Sequence, residues 1–379
     1  LMENSLDAQA TAIEVVIQNA GKTLIQVRDN GIGLAEEDLN SVFNRHATSK
    51  ISQIDDLYAI ASLGFRGEAL YSIGAVSDIT LASKTEDQDS GWEMHVRGSE
   101  RLSRKPLPMR TGTMIEVKEL FFNTPARKKF LKSNTSEMKH ILDTVLPYAL
   151  LNPKVRFALS HDSRRIIDLE PAGSVLERAA LALNLNKNDL MEDAADFSQA
   201  GIGIRLVLGD INIQRTRKDM QFIFINDRPV DNKSISYHCN EVYRSLLSPG
   251  VYPMFCVFIS MPAENLDVNV HPTKREVKIR DEKDLISVLR RFTEQLLMTH
   301  SKPRQAQTIF PPRPPVEPVR NQPERIYSPT IGHTDPGVRE TPRKQEPQEQ
   351  YKLALAESIA LYKTDIARDK QQALKDKLK

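Results

Sequence analysis

The stretch DNGIG at residues 29–33 decides the fold that the sequence predicts. Residues 13–27 before it are typical of a β-hairpin, because apolar side chains alternate along two short segments separated by a glycine. Asp29 ends the second strand, where its carboxylate can accept a hydrogen bond from an adenine amino group. Gly31 and Gly33 allow a sharp turn and a close backbone approach to a ligand. An ordinary Asp-Asn-Gly turn is the alternative at this point.

The end of a helix is expected upstream of the hairpin, over residues 1–11. It carries the sequence ENSLDA at residues 3–8. The amide oxygen of Asn4 could bind Mg²⁺, a hard cation that takes oxygen ligands. A structural helix asparagine is the alternative. Because the sequence opens within this helix, we expect the natural chain to start further upstream.

Two segments between residues 46 and 70 carry groups suited to phosphate. Residues 63–70, LGFRGEAL, form a glycine-flanked loop that leads into a helix. The free N–H groups at such a helix start attract anions, and Arg66 adds a charged donor. A capped loop–helix junction is the alternative. Residues 46–50, HATSK, add hydroxyl and ammonium donors, and we interpret His46 as structural.

Two further motifs lie later in the chain. Gly112-Thr113 opens a strand, where the threonine hydroxyl could support Asp29, although a plain β-bulge is the alternative. Residues 271–274, HPTK, place a proline-stiffened loop before Lys274. A lysine on a rigid loop can reach a neighbouring phosphate as a point charge. The histidine of this loop is interpreted as structural, since no second metal ligand lies at the required spacing.

The composition bounds the class of protein. A length of 379 residues predicts two domains plus extra segments. The balance of 52 basic and 50 acidic residues gives a net charge of +2, which is too mild to indicate a nucleic-acid partner by itself. Cys239 and Cys256 lack CxxC spacing, so neither a zinc site nor a disulfide framework is indicated. No apolar run of transmembrane length and no secretory leader is visible.

The pattern along the chain predicts an α+β protein with a helix layer on a mostly antiparallel sheet. We expect a second unit to start near residue 155, with a strand over residues 155–159. After Lys302 the composition changes, and eleven of the 22 prolines lie between Pro303 and Pro347. Such a segment buries too little apolar surface to fold and is predicted to be a linker. Apolar residues at helical spacing return in residues 350–379.

The ordered set of motifs resembles the GHKL ATPase superfamily. HATSK, GFRGEAL, HPTKREV and LFFNTPARKKFL (residues 120–131) narrow the match to the MutL family of DNA mismatch repair proteins. The resemblance covers about residues 1–300. It implies a GHKL (Bergerat) helix-on-mixed-sheet sandwich and then a smaller α/β domain like domain 2 of ribosomal protein S5. The implied segments are 1–152 for ATP binding, 153–301 for the second domain, 302–349 for a Pro-rich disordered linker, and 350–379 for a short helix or the start of a C-terminal domain.

The resemblance also implies ATP and Mg²⁺ as cofactors and gives each motif a role. Asn4 resembles the Mg²⁺ ligand, Asp29 the adenine reader, and Lys274 the residue that reaches the γ-phosphate. Arg66 and Lys274 would stabilise phosphate charge during hydrolysis. The implied nucleotide contacts are Asn4, Ala8, Asp29, Gly31, Gly33, Lys50, Leu63, Gly64, Arg66, Gly67, Thr113 and Lys274.

This sequence departs from the family pattern at the catalytic base. In the family a glutamate lies four residues before the Mg²⁺-binding asparagine, and that position precedes Leu1. Glu3 is adjacent to Asn4 and points to another face of the helix, so it cannot take the role. We therefore expect residues 1–379 alone to bind ATP weakly and to hydrolyse it slowly, since a lost base commonly costs about 10²–10⁴-fold in rate.

The implied function is that of a mismatch-repair ATPase. ATP-Mg²⁺ binding would order residues 44–70 as a lid and close two N-terminal halves into a homodimer, which a C-terminal domain also joins. Implied partners are DNA, a MutS-type mismatch-recognition protein and a downstream nuclease or helicase, with no membrane, in the cytoplasm at the bacterial nucleoid. Two alternatives are a non-hydrolysing DNA-binding scaffold and another GHKL protein such as a topoisomerase subunit or chaperone. The latter should lack GFRGEAL and HPTKREV.

Three basic clusters suit nonspecific, salt-dependent contact with DNA phosphates. Solvated protein surface is the alternative for each cluster. Few aromatic residues lie among them, so base stacking is not indicated. No DQHAxxERxxxE-like nuclease motif occurs in the sequence. The clusters are the five basic residues of 97–110, then Arg127, Lys128 and Lys129 with Lys132, and finally Arg215, Arg217 and Lys218.

Overall fold

The fold is taken from a computed structural model. It describes residues 1–39, 41–44, 69–197, 201–267, 277–280 and 282–300. Contacts group Leu1–Ser301 into one unit. The predicted linker and the segment 350–379 lie outside the described residues.

An eight-stranded sheet forms the first part of the fold. Its strands are β1 (Ala12–Gln18), β2 (Leu24–Asp29), β3 (Asp78–Lys84), β4 (Gly91–Arg97), β5 (Glu100–Leu107), β6 (Gly112–Lys118), β7 (Arg156–His161) and β8 (Arg164–Leu169). They are ordered β5-β4-β3-β6-β2-β1-β7-β8. Neighbours are antiparallel except β1 and β7, which pair in parallel. The sheet is therefore mixed, as expected.

Helices cover the apolar face of this sheet. They are α1 (Met2–Asp7), α2 (Glu36–Leu39), α3 (Ala69–Gly74) and α5 (Asn134–Leu151), whereas the short helix α4 (Pro125–Lys128) buries none of its residues. Along β1 every second residue is buried, and Ile13, Val15 and Ile17 join a core that α5 shares. This alternation buries one face of a strand because successive side chains point to opposite faces. The side chain of Ser133 caps α5 by accepting a hydrogen bond from the Ser136 N–H (3.3 Å).

A five-stranded sheet forms the second part of the fold. The elements after β8 are α6 (Val175–Leu183), β9 (Leu190–Phe197), β10 (Ile202–Gly209), β11 (Gln221–Ile225), β12 (Arg228–Pro229), α7 (Lys233–Tyr243), β13 (Phe255–Ser260), β14 (Leu266–Asp267), β15 (Lys278–Ile279) and α8 (Glu282–His300). The sheet order is β12-β11-β13-β10-β9, while β14 pairs with β15. Leu206 and Leu208 of β10 pack with α7 and α8, whereas Val207 packs with α6 on the opposite face.

One buried arginine ties α6 to the chain between α5 and β7. Arg178 is fully buried and donates from Nη2 to the carbonyl oxygens of Pro153 (2.5 Å) and Val155 (2.6 Å). Its Nε and Nη1 atoms are buried without a hydrogen-bond partner among the described residues. Burial lowers the pKa of the Arg178 guanidinium, and the charge of Glu170 opposes that shift. The Pro153 carbonyl also accepts a hydrogen bond from the Ala172 N–H (2.8 Å), so the backbone and Arg178 together secure the connection between the two sheets.

The structure corrects the expected start of the second unit. The strand predicted over residues 155–159 is β7, and its parallel pairing with β1 places it in the first sheet. The hairpin partner β8 extends the same sheet, so the implied boundary after residue 152 falls too early. Parallel pairing between distant segments leaves no local signal, because the register depends on contacts across more than a hundred residues.

Several local predictions also change. The sequence of residues 34–45 is typical of a helix, but α2 covers only Glu36–Leu39 and is followed by a turn at residues 41–43. Strands β5, β8 and β9 were not predicted, since their charged sequences lack a clean apolar alternation. No helix within the described ranges is long and apolar enough to cross a membrane.

Candidate functional site

The carboxylate of Asp29 is the point on which three separate elements converge. Its Oδ2 atom accepts a hydrogen bond from the Ser5 hydroxyl of α1 (2.7 Å). Its Oδ1 atom accepts from the backbone N–H of Gly31 (3.0 Å) and of Thr113 in β6 (3.3 Å). A carboxylate offers about four acceptor positions. Three donors therefore hold Asp29 in place and leave about one position for a further donor.

The support from β6 differs from the expected one. The register places Thr113 directly opposite Asp29, but the backbone N–H of Thr113 makes the hydrogen bond. Its hydroxyl instead lies 2.9 Å from the hydroxyl of Ser83 in β3. Ser83 is fully buried, lies 3.0 Å from the carbonyl of Gly112, and accepts from the Leu34 N–H (2.8 Å). Ser83 thus connects β3, β6 and the segment after the glycine turn.

The glycines of the turn permit close packing against the protein itself. A Cβ on Gly31 would lie 2.6 Å from the carbonyl oxygen of Ala8, and one on Gly33 would lie 2.1 Å from that of Lys84. Gly33 also has a φ of +77°, which favours glycine. The Ile32 N–H donates to the Ala8 carbonyl (3.0 Å), so the turn is fastened to the end of α1. Ala8 therefore lies directly against the glycine turn.

Asn30 fixes the same turn to the start of β1. Its Oδ1 atom accepts from the backbone N–H groups of Thr11 (2.9 Å) and Ala12 (2.8 Å). Its Nδ2 atom donates to the Thr11 hydroxyl (2.8 Å). The asparagine of DNGIG therefore has a structural role in the site, because it provides hydrogen-bond partners for the residues that follow α1.

Helix α1 carries Asn4 one residue before Ser5. Asn4 is half-buried, and its side chain makes no hydrogen bond to any described residue. No described residue therefore occupies the amide oxygen of Asn4. Glu3 accepts a hydrogen bond from the Tyr148 hydroxyl of α5 and is held against that helix.

The predicted site residues divide into two groups. The structure brings together Ala8, Asp29, Gly31, Gly33 and Thr113, and it places Asn4 on α1 one residue before Ser5. Lys50, Leu63, Gly64, Arg66, Gly67 and Lys274 lie outside the described residues. Sequence reasoning missed Ser5, Asn30 and Ser83, of which only Asn30 lies inside a recognisable turn signal. In the described part of the chain, no group of three or more His, Cys, Asp or Glu residues could hold a metal ion.

The basic clusters differ in how far they are neutralised. Near β5, Arg97 pairs with Glu119 (2.8 Å), and Lys105 pairs with Glu93 (3.1 Å). Arg104 pairs with Glu36 and lies over the Trp92 ring. These contacts favour a structural role for the cluster at residues 97–110.

The two smaller clusters are more exposed. Arg215 donates a hydrogen bond to the Asp219 carboxylate, which raises the pKa of Arg215, and the ion pair measures 2.9 Å. Lys218 lies over the Tyr252 ring, whereas Arg217 is exposed. Arg127, Lys128 and Lys129 are all exposed, and Lys132 is as well.

Comparison with known families matches two regions of the chain. Residues 1–133 match the family described as Histidine kinase-, DNA gyrase B-, and HSP90-like ATPase. Residues 183–298 match the family described as DNA mismatch repair protein, C-terminal domain. The first match contains every described residue of the candidate site.

Individual relatives give the same result. The DNA mismatch repair protein MutL of Haemophilus influenzae (strain 86-028NP) is 40% identical over 286 residues, which are 75% of this chain and 46% of the relative. The chain thus spans about half the length of the curated relatives it matches.

Solved structures agree as well. The Aquifex aeolicus MutL ATPase domain complexed with ADP is 31% identical, with a TM-score of 0.54, and the match covers 69% of this chain and 88% of that domain. The N-terminal domain of a DNA repair protein matches at 24% identity with a TM-score of 0.67 over 79% of this chain and 92% of that one, which supports the fold alone. The motifs, the α+β GHKL fold and these matches show that the chain belongs to the MutL family of DNA mismatch repair proteins.

Proposed function

We propose that this protein binds ATP with Mg²⁺ at the Asp29 site and acts as an ATP-driven switch in DNA mismatch repair. The observation that carries the proposal is the Asp29 carboxylate, which three donors hold with about one acceptor position left. The 6-amino group of adenine is a donor that suits this position. The similar Aquifex aeolicus domain is described as complexed with ADP.

Asn4 is the proposed Mg²⁺ ligand. Its side chain is half-buried and unpaired among the described residues, and an amide oxygen is a ligand that Mg²⁺ accepts. When bound, Mg²⁺ would neutralise charge on the phosphates. Ser5, the next residue, is hydrogen-bonded to Asp29. The short helix α1 therefore positions the metal ligand relative to the base-binding carboxylate.

Hydrolysis is proposed to follow the chemistry of the family. Arg66 and Lys274 would stabilise negative charge on the transferred phosphate. The glutamate that activates water would lie four residues before Asn4, a position upstream of Leu1. We expect a polypeptide that starts at Leu1 to turn over ATP about 10²–10⁴-fold more slowly than one carrying that glutamate.

The consequence of nucleotide binding is proposed to be dimerisation. Ordering of residues 44–70 over ATP would create a surface on which two N-terminal halves close, an order–disorder switch. Dimerisation through a C-terminal domain would keep the halves tethered while they open and close. DNA contact through Arg127, Lys128 and Lys129, with Arg217 and Lys218, would then couple closure to the repair partners.

Nucleotide specificity tests the proposal. Titration calorimetry of the full-length protein should show that ATP binds about 10–150-fold more tightly than GTP, because guanine has a carbonyl acceptor where adenine has a donor. Asn4→Ala should weaken binding with Mg²⁺ and leave Mg²⁺-free binding unchanged. The matched control is Asn188→Ala, at an exposed position far along the chain. Equal affinities for ATP and GTP would refute the adenine assignment.

Phosphate release decides between a switch that hydrolyses ATP and a scaffold that does not. The full-length protein should release phosphate continuously and dimerise when ATP is added, as measured by a coupled assay and analytical ultracentrifugation. Tight ATP binding without any release would favour the non-hydrolysing scaffold.

A further inference from the structure

The chain carries one cluster of basic residues between Glu119 and Glu137, and the exposed side chain of Phe130 lies within it. We propose that residues 125–133, named here the 125–133 surface, bind single-stranded nucleic acid, with Phe130 stacking on an unpaired base. The cations around it would contact the phosphates. The inference rests on the proposed contact with DNA and adds the form of nucleic acid and the residue that recognises it.

The exposure of Phe130 is the first observation. Its side chain is 83% exposed, more than any other large hydrophobic residue in the described part of the chain. Phe122, eight residues earlier in the same motif, lies 4.9 Å beneath the guanidinium of Arg97. Phe130 has no ring partner of this kind among the described residues. A large apolar side chain in water gains free energy when a ligand covers it.

The backbone holds Phe130 in a defined position. The Phe130 N–H donates to the carbonyl of Arg127 (3.0 Å), and the Lys129 N–H donates to that of Pro125 (3.2 Å). After the ring, the Lys132 N–H donates to the carboxylate of Glu137 in α5 (2.7 Å). The ring is therefore presented on a hydrogen-bonded turn between α4 and α5. Such preorganisation lowers the entropy lost on binding.

The charge around the ring is the second observation. Arg127, Lys128, Lys129 and Lys132 make no ion pair with a described residue. No acidic residue occurs from residue 120 to residue 136. By contrast, cations beside β5 pair with neighbouring carboxylates. The 125–133 surface therefore keeps four positive charges available for a polyanion.

Single-stranded nucleic acid fits this combination better than the other polyanions. Stacking on an aromatic ring requires a base face that a duplex keeps buried in its own stack. A membrane would require a broad apolar face, but Phe130 stands alone here, since the neighbouring Leu131 is half-buried. An acidic protein would satisfy the cations without needing an exposed ring.

The test compares Phe130→Ala with Met298→Ala, which removes a side chain that is 78% exposed on α8. The full-length proteins are titrated into labelled oligothymidine and into a labelled duplex, with fluorescence anisotropy as the readout. Phe130→Ala should weaken single-strand binding about 5–150-fold and change duplex binding less than about twofold. Phe130→Tyr should keep most of the single-strand affinity. Met298→Ala should leave both affinities unchanged.

Charge variants and a nucleotide control complete the test. Lys128→Ala should weaken binding to both the single strand and the duplex, and it should reduce the salt dependence of that binding. ATP binding by Phe130→Ala should equal that of the unchanged protein, so a failure here is separate from a failure of the Asp29 site. Unchanged single-strand affinity in Phe130→Ala would overturn the proposal. An equal loss of affinity for the duplex would also overturn it, and so would binding to anionic vesicles that depends on Phe130.

Discussion

The Asp29 carboxylate allows a substitution that alters chemistry while keeping shape. Asp29→Asn replaces one acceptor oxygen with an NH₂ donor. The retained oxygen can still accept from the Gly31 and Thr113 N–H groups, at 3.0 and 3.3 Å. The Ser5 hydroxyl, now 2.7 Å from Oδ2, can rotate and accept from the new NH₂. All three contacts therefore survive, and the fold should tolerate the change.

The loss falls on the ligand. The adenine amino group would meet a second donor in place of an acceptor, and it would lose a hydrogen bond to a charged partner worth about 1.5–3 kcal/mol. That corresponds to about 10–150-fold weaker ATP binding. The free energy of unfolding should fall by only about 1–2 kcal/mol, because a neutral amide accepts more weakly but is also easier to desolvate.

Two measurements separate these effects. Calorimetric titration of the full-length variant with ATP-Mg²⁺ gives the affinity, and urea unfolding gives the stability. Asp38→Asn, at an exposed position of α2, is the matched control and should change neither quantity. An Asp29→Asn protein that is folded and binds ATP within about twofold of the unchanged protein would refute the adenine role. Ser5→Ala, which keeps the carboxylate charge, should weaken binding by less.

Further predictions concern the scaffold of the site. Gly112→Ala should weaken ATP binding and lower stability by more than about 2 kcal/mol, because the new Cβ would lie 2.2 Å from the Asp29 carbonyl at a φ of +129°. Gly250→Ala, at a φ of +83° with nothing within 4 Å, should cost only about 1–2 kcal/mol by urea unfolding. Arg178→Ala should cost about 3 kcal/mol or more, since it opens a cavity in place of a fully buried side chain and removes its hydrogen bonds to the Pro153 and Val155 carbonyls. Arg290→Ala breaks only a surface pair with Glu294 (3.0 Å) and should stay within about 1 kcal/mol in the same measurement.

The sequence predicts those parts of the site that depend on local rules. The glycines of DNGIG lie where the backbone must turn, and Asp29 ends a strand whose alternation is clear. The α+β fold and the MutL family were predicted from motifs and their order, and both are confirmed. These features carry signals because backbone conformation restricts which residues fit.

The remaining features depend on contacts between distant segments. Ser5 and Ser83 resemble any serine in the sequence, and only the fold brings them to Asp29 and Thr113. The sequence of strand β5 is typical of a solvated basic cluster because seven of its eight residues are exposed at the sheet edge. Charged edge strands are common, since they prevent edge-to-edge pairing. The sequences of such strands therefore resemble those of loops.

Helix α1 would link recognition of the base to recognition of the phosphates of the nucleotide. One helical residue, Ser5, holds the carboxylate proposed to bind adenine, and the preceding residue, Asn4, is the proposed metal ligand. The end of α1 is also fastened to the glycine turn through the Ala8 carbonyl. A shift of α1 would therefore disturb adenine recognition and metal binding together. Since close packing at the turn leaves no room for independent adjustment, the base and the phosphates would be recognised as one event rather than two.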